Sequence, residues 1–237
     1  MSETPIFEGY PEQGLRFLDE LAANNSRDWF QANKDRYQQY VLAPTQDFVF
    51  ALGERLRTLS PGIRYDTRAS GGGSILRIYR DLRFSKDQTP YNPNVRVVFW
   101  EGQGKRMENP SFFVRIQPDG VGLYAGLHVF PKPFLAAYRE AVVDETLGTG
   151  LEAAMATVRE AGAYTLGGEH YKRVPRGYDA DHPRADLLRY NGLWTHTANA
   201  VDASLITTPK LLDACLEHCR KMAPLHRWLV TVLQRLG

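Results

Sequence analysis

The chain has 237 residues, of which 43% are hydrophobic, 11% aromatic and 24% charged, values that exclude a disordered or fibrous chain and suffice for a sizeable core. Its 29 Lys and Arg against 27 Asp and Glu leave a net charge of +2, too little for the long-range field of a dedicated nucleic-acid binder, so anion recognition has to be local. No run approaches the roughly 18 apolar residues of a membrane span, and residues 1–14 lack the basic and apolar regions of a secretory signal.

Pro11 to Ala23 reads as a helix with Leu15, Leu18 and Leu21 on one face, ending at Asn24 and Asn25, residues that favour caps and turns. Ser26 is placed to cap a second helix carrying Trp29, Phe30, Asn33, Tyr37 and Tyr40. Pro44 then opens a third, with Phe48, Leu52, Leu56 and Leu59 near helical spacing. Ser60, Pro61 and Gly62 close this helical region. The period then switches to two, and four strands are predicted: Ser74 to Asp81, Val95 to Glu101, Ser111 to Gln117 and Val121 to Phe130. Pro118, Asp119 and Gly120 form a tight hairpin between the last two, and the short links favour an antiparallel meander. In the last strand Val121, Leu123, Ala125, Leu127 and Val129 alternate with Gly122, Tyr124, Gly126, His128 and Phe130, giving one apolar face and one mixed, partly open face that could hold a ligand.

Helical spacing returns over Pro133 to Asp144 and Leu151 to Ala161, separated by Gly148 and Gly150. Residues 162–201 read as irregular, with a short helix over Arg184 to Tyr190 and a strand over Trp194 to Val201. Thr208 and Pro209 cap a helix through Met222, and Leu225 to Leu236 forms another. The fold class is α+β: an antiparallel sheet of four or more strands with N-terminal and C-terminal helices packed around it. The reading is one domain over 1–237, helical in 1–60, with a sheet core in 63–130 and helices and irregular structure in 131–237.

Chemistry concentrates in the segment from Arg77 to Tyr91, where Arg77, Arg80, Arg83 and Lys86 accompany Asp81 and Asp87. On a period of two, Arg77, Tyr79, Asp81 and Arg83 share one face and Leu76, Ile78 and Arg80 the other. An inward guanidinium needs a carboxylate, carbonyl oxygens or a bound anion, and two aspartates cannot neutralise four cations. Arginine's planar fork suits phosphate and carboxylate. The candidate ligand site is therefore Arg77, Arg80, Asp81, Arg83, Lys86 and Tyr91, joined by Arg115 and His128 if the strand register allows. Asp81 would orient the arginines, and Tyr91 or His128 would donate protons if chemistry occurs. The alternative is a structural network, which fails if two of these arginines converge on an open cleft without carboxylate partners.

That segment resembles the signature of a bacterial family of about this length catalogued as domain of unknown function 2461. The block from Asn24 to Phe30, with Lys34 and Tyr37, is similar to the family's N-terminal block. Lys172, Arg173, Pro175, Gly177 and Tyr178, with Asp181, His182 and Pro183, are similar to its C-terminal block. The chain departs from the signature at Gln88, where the family carries lysine, which argues against a lysine-dependent reaction there. The resemblance supplies a fold unit and picks out residues; it implies no activity or cofactor.

Secondary candidates come from those blocks. Arg27 and Trp29 with Phe30 could form a cationic, aromatic stacking surface, or the aromatics are core. Lys172, Arg173, Asp181 and His182 lie in a loop-rich region where Asp181 beside His182 could serve as a base or ligand pair, or Asp181 caps the helix that follows. Gly71, Gly72, Gly73 and Ser74 lack the lysine and helix of a phosphate loop and read as a turn. Cys215, His218, Cys219 and His226 superficially suggest zinc, but Leu211, Leu212, Cys215, Leu216, Cys219 and Met222 trace an apolar stripe, so no metal site is assigned. With the two cysteines four residues apart on a helix, a disulfide is awkward and a cytoplasmic, reducing location is expected. No nucleophile elbow or zinc-helix motif occurs. Three readings stand: a site for a phosphate- or carboxylate-bearing small molecule, in an enzyme or not; a nucleic-acid or protein interaction module using the same basic segment; and a structural arginine network. No membrane partner is expected, and no oligomeric state follows.

Overall fold

The computed structural model describes residues 5–69, 71–83 and 86–236. The alternating apolar runs pair into one antiparallel sheet of six strands: β1 (Ile63–Arg64), β2 (Val95–Glu101), β3 (Ser111–Gln117), β4 (Gly120–Leu127), β5 (Thr165–Glu169) and β6 (Tyr190–Val201). The order is β1-β2-β3-β4-β6-β5, and β3 and β4 join through the expected hairpin, with Gln117 opposite Gly120.

The predicted strand from Ser74 to Asp81 is not one. It runs along the outer edge of β2, held by Leu76 N–H to Arg96 O at 2.9 Å and Val98 N–H to Ser74 O at 3.0 Å, and makes only isolated bridges, Ile75 to Val97 and Tyr79 to Tyr91. Its two buried hydrophobic residues, Ile75 and Ile78, are three apart, and a period of two cannot put both on one face. The strand β5 was missed because Gly167 and Gly168 hide its pattern. Gly167 packs under the Trp194 indole, and a Cβ at Gly168 would lie 2.0 Å from Gly192 O.

The helices are α1 (Glu12–Ala23), α2 (Arg27–Ala32), α3 (Lys34–Tyr37), α4 (Ala43–Leu56), α5 (Lys132–Val143), α6 (Glu145–Glu160) and α7 (Lys210–Gln234). Ser26 caps α2 through the Trp29 N–H at 3.3 Å. A π turn over Gln38–Leu42 joins α3 to α4, at the point where Pro44, lacking an N–H, cannot bond four residues back. Two predicted breaks vanish. Pro224 lies inside α7, whose flanking residues Met222, Ala223, Leu225 and His226 are all buried, and that burial offsets the proline's cost of about 3 kcal/mol. Gly148 and Gly150 lie inside α6, which Asp144 caps through the Leu147 N–H at 2.8 Å.

One face of the sheet carries Val97, Phe99, Phe112, Val114, Val121, Leu123 and Ala125 into a core with Phe17, Phe48, Leu52, Cys215, Cys219 and Met222. A second apolar cluster gathers Leu127, Phe134, Tyr138, Leu151, Val158 and Leu193 around Trp228 and Leu229, so α7 serves both. The alternate residues, among them Arg96, Phe113, Arg115, Gly122, Tyr124, Trp194 and His196, face away from this core.

The C-terminal loop is stapled to α6 by Arg184. This guanidinium is 7% exposed and reaches Glu145 at 3.2 Å and Glu152 at 3.5 Å, while Nε donates to Val142 O at 2.8 Å. A Cβ on Gly148 would sit 2.3 Å from Arg184 Nε and 2.4 Å from Val142 O. Gly148→Ala is therefore expected to lose about 1–3 kcal/mol by overpacking, despite alanine's better helix propensity. A chemical denaturation midpoint at or above that of the parent would show that the staple yields freely.

Candidate functional site

The edge segment 74–80, β2 and the turn after β2 bring four guanidiniums to one cleft of about 400 Å³, lined by Arg77, Arg80, Arg96 and Arg106 with Gly71, Leu76, Tyr79, Asp81 and Asn92. Arg96 enters because it alternates with the buried Val95 and Val97 and so points off the core. Arg106 arrives on the one-turn helix Arg106–Glu108. Gly71 is packed so closely that a Cβ there would lie 2.6 Å from the Arg77 guanidinium. The glycine run is a turn, as read, but it also lines the cleft.

The carboxylates nearby are already engaged. Asp87 pairs with Arg80, which also donates to Thr89 Oγ1 at 2.7 Å. The Thr89 amide, then Arg80, hold Asp87 down to about 2. Asp81 takes the Arg83 fork at 3.0 and 2.6 Å and is held at about 2 by it. Asp66, the acid closest in influence to Arg106, is taken by Arg68 at 2.5 Å. Among the described residues Arg77, Arg96 and Arg106 have no carboxylate partner. Arg96 donates to Arg77 O at 2.7 Å and Arg106 to Gly73 O. Burial disfavours the charge on both, and Arg77 adds repulsion at Arg106.

Of the three arginines in the segment from Arg77 to Tyr91, then, two have acid partners and Arg77 does not. Arg96 and Arg106 complete the cleft and were missed. Arg96 had a signal, a lone cation on the open face of an otherwise apolar strand; Arg106 had none. Lys86 is exposed, beside residues 84 and 85, which lie outside the described residues. Tyr91 is 1% exposed, its ring stacked on Phe30 at 4.3 Å. Asn25 clamps its backbone in both directions at 3.0 Å, so Tyr91 braces the segment from the core side; it does not itself line the cleft, and its side chain hydrogen-bonds to Tyr79, which does.

The register sets Arg115 directly opposite Arg96 on β2 and Gly122 on β4. Arg115 and His128 line a second cavity of about 380 Å³ with Phe113, Tyr124, Trp194 and His196. They do not join the arginine cleft; the two spaces are neighbours across the Arg96–Arg115 pair. Trp29 packs on Phe17 at 5.4 Å, partly buried, and Arg27 is exposed beside it. Lys172, Arg173 and Asp181 are exposed and line neither cavity. Asp181 does not cap the following 3₁₀ turn, Ala185–Arg189, which has no side-chain cap. The His182 ring instead accepts the Arg184 N–H at 3.0 Å. Cys215 and Cys219 are fully buried in the apolar core and burial pushes both thiols up.

A buried network lies behind the sheet. Glu101, at the end of β2, accepts Ser60 Oγ and pairs with His226 Nε2 at 3.3 Å, and His226 stacks on Phe112 at 4.4 Å. Burial raises the Glu101 carboxyl, but the hydrogen bonds from His226, Ser60 and the Gly62 amide outweigh it and leave it below the usual range. Serine and histidine meet the same carboxylate oxygen, so the histidine does not lie between acid and hydroxyl as a nucleophile triad requires.

No curated protein and no solved structure matches the chain. Among the described residues no helix is long and apolar enough to cross a membrane. Residues 13–228 match the family described as conserved hypothetical protein (DUF2461), nearly the whole of the fold described above, and the chain belongs to that family.

Proposed function

We propose that the protein binds a small molecule bearing a phosphate or carboxylate in the cleft of Arg77, Arg80, Arg96 and Arg106. The observation that carries this reading is the convergence of Arg77, Arg96 and Arg106 on one cleft with no carboxylate partner among the described residues. Gathering guanidiniums costs free energy that an anion recovers through charge-assisted, bidentate hydrogen bonds. A net charge of +2 supplies little of the field that a nucleic acid would need, which favours a single compact anion over an extended backbone. The free, buried cysteines fit a reducing compartment and so a cytoplasmic location.

The test is thermal unfolding with inorganic phosphate, sugar phosphates, nucleotides, carboxylates and short oligonucleotides. An anion at 100 times its dissociation constant adds about 2.7 kcal/mol, which for a chain of this size raises the midpoint by roughly 5 to 10 °C. The shift is expected to disappear in Arg77→Ala and in Arg106→Ala while both remain folded. Oligonucleotides bound in preference to mononucleotides, with affinity falling steeply in salt, would favour the interaction-module reading. No shift with any anion would leave the arginines a structural network.

A further inference from the structure

The away-facing positions of β4 read Gly120, Gly122, Tyr124 and Gly126. Gly120 closes the hairpin at φ +153°, and Gly126, at φ +135°, would place a Cβ 2.3 Å from Leu193 O. The fold requires glycine at both. It does not require one at Gly122, whose φ is outside the left-handed range and whose Cβ would meet nothing nearer than Thr197 O at 3.5 Å and Arg115 at 3.8 Å. A glycine inside a strand costs about 0.5–1 kcal/mol relative to alanine, and where packing does not demand it, it marks the close approach of something else.

The strand beside Gly122 is displaced too. Between β4 and β6 the register shifts, with Val121 opposite Val201 and Leu123 opposite Thr197. The surplus residues of β6 include Asn199 at φ +48°. Such bulges cluster beside binding sites, where they re-aim side chains. The result is the cavity of about 380 Å³ already described. One wall is aromatic, with Trp194 stacked on Tyr124 at 5.8 Å and flanked by His128 at 6.0 Å and His196 at 5.4 Å. On the other side stands Arg115, exposed, its side chain without a hydrogen-bond or ion-pair partner among the described residues and directly opposite the like-charged Arg96. Tyr124 Oη and His196 Nδ1 are buried without partners among the described residues, an expense that ordinarily marks an absent ligand or ordered water.

We propose that this groove is a second binding site, for a planar aromatic ring carrying a carboxylate or phosphate, with the ring lying over Gly122 against Trp194 and Tyr124 and the charge on Arg115. An aromatic wall and a glycine floor fit a flat ring, and a lone guanidinium fits a single negative substituent. The site stands whether or not the arginine cleft binds anions.

Titration calorimetry on the full chain, using indole-3-acetate, 4-hydroxybenzoate, adenosine monophosphate and flavin mononucleotide, tests it against probes lacking the charge (indole, adenosine) or the ring (acetate, inorganic phosphate). At least one ringed anion is expected to bind tenfold or more tighter than both of its controls. Arg115→Gln should erase its advantage over the uncharged ring. Gly122→Val, whose methyls project into the groove, should abolish binding with the unfolding midpoint unchanged or higher; if valine disturbs the strand, Gly122→Ala makes the same test at ordinary contact distances. Arg77→Ala and Arg106→Ala should leave this binding intact, which separates it from the arginine cleft. The proposal is overturned if every ringed anion binds no better than acetate or phosphate, or if binding survives a folded Gly122→Val.

Discussion

Glu101→Ala is expected to lower stability by about 3 kcal/mol, because it leaves two buried partners without an acceptor. The Glu101 side chain is 13% exposed and His226 is 0% exposed; Ser60, the other buried partner, is 4% exposed. For a chain of this length the loss corresponds to a fall in midpoint of roughly 6 to 12 °C. Glu101→Gln keeps an acceptor oxygen and the side-chain volume, so it should lose less than half as much. Equal losses would mean that packing, rather than the hydrogen bonds, holds this corner.

The same network sets a pH dependence. Burial foremost, with Arg227 assisting and Glu101 opposing, lowers the pKa of His226 below its usual value near 6.5. The folded protein therefore binds fewer protons here than the unfolded chain, and stability rises with pH. The contribution of His226 is complete above about 6.5 and is lost as pH falls toward its depressed folded value. His218, lowered by burial and Lys221, acts in the same direction, and the depressed carboxyl of Glu101 adds a further loss below about 4.3. Denaturation midpoints from pH 7.5 to 5 should decline in the parent and decline less in His226→Gln, which keeps a hydrogen bond to Glu101 without titrating. An unchanged profile in that variant would remove His226 from the account.

Arg96→Met is expected to weaken phosphate or carboxylate binding in the arginine cleft by about 10- to 100-fold, since a hydrogen bond to a charged group contributes about 1.5–3 kcal/mol. Its effect on the ligand-free protein should have the opposite sign. Arg96 faces Arg115 across the ladder, shares its cleft with Arg77 and Arg106, and is partly buried, so that its charge is disfavoured. Like charges directly opposite one another are destabilising, and methionine keeps the packing of the stem. The one bond lost, to Arg77 O, belongs to an exposed residue that water can serve. A midpoint at or above the parent's, together with the lost affinity, is the expected pair. A variant that melts several degrees lower would mean that Arg96 is a structural brace, and the anion reading would lose its strongest element.

Much of the architecture was legible residue by residue. The alternation in 95–101, 111–117 and 121–130 located β2, β3 and β4, because a half-buried strand has to repeat every two residues, although β4 ends at Leu127, and beyond it Val129 is exposed and Phe130 buried, the reverse of the alternation. Ser26 marked the start of α2, and the apolar stripe through Cys215 and Cys219 marked a buried helix face. Local chemistry misled where burial overrode it. Gly148, Gly150 and Pro224 sit inside helices because tertiary contacts repay their cost, and β5 escaped notice because its glycines make room for Trp194 and for the backbone at Gly192.

The candidate site divides along the same line. The surplus of cations between residues 77 and 86, and the mixed open face of β4, follow from composition and period alone. Which cations remain without acids was settled by folding: Asp87 reaches Arg80, Asp81 folds back on Arg83, and Arg96 and Arg106 come from elsewhere in the chain to stand beside Arg77. Pairing register, which no single strand encodes, set Arg115 opposite Arg96 and over Gly122 and so divided one imagined site into two neighbouring clefts. Strand periodicity is a property of the local chain, whereas charge compensation depends on distances between residues far apart in sequence, and those distances exist only once the sheet has formed.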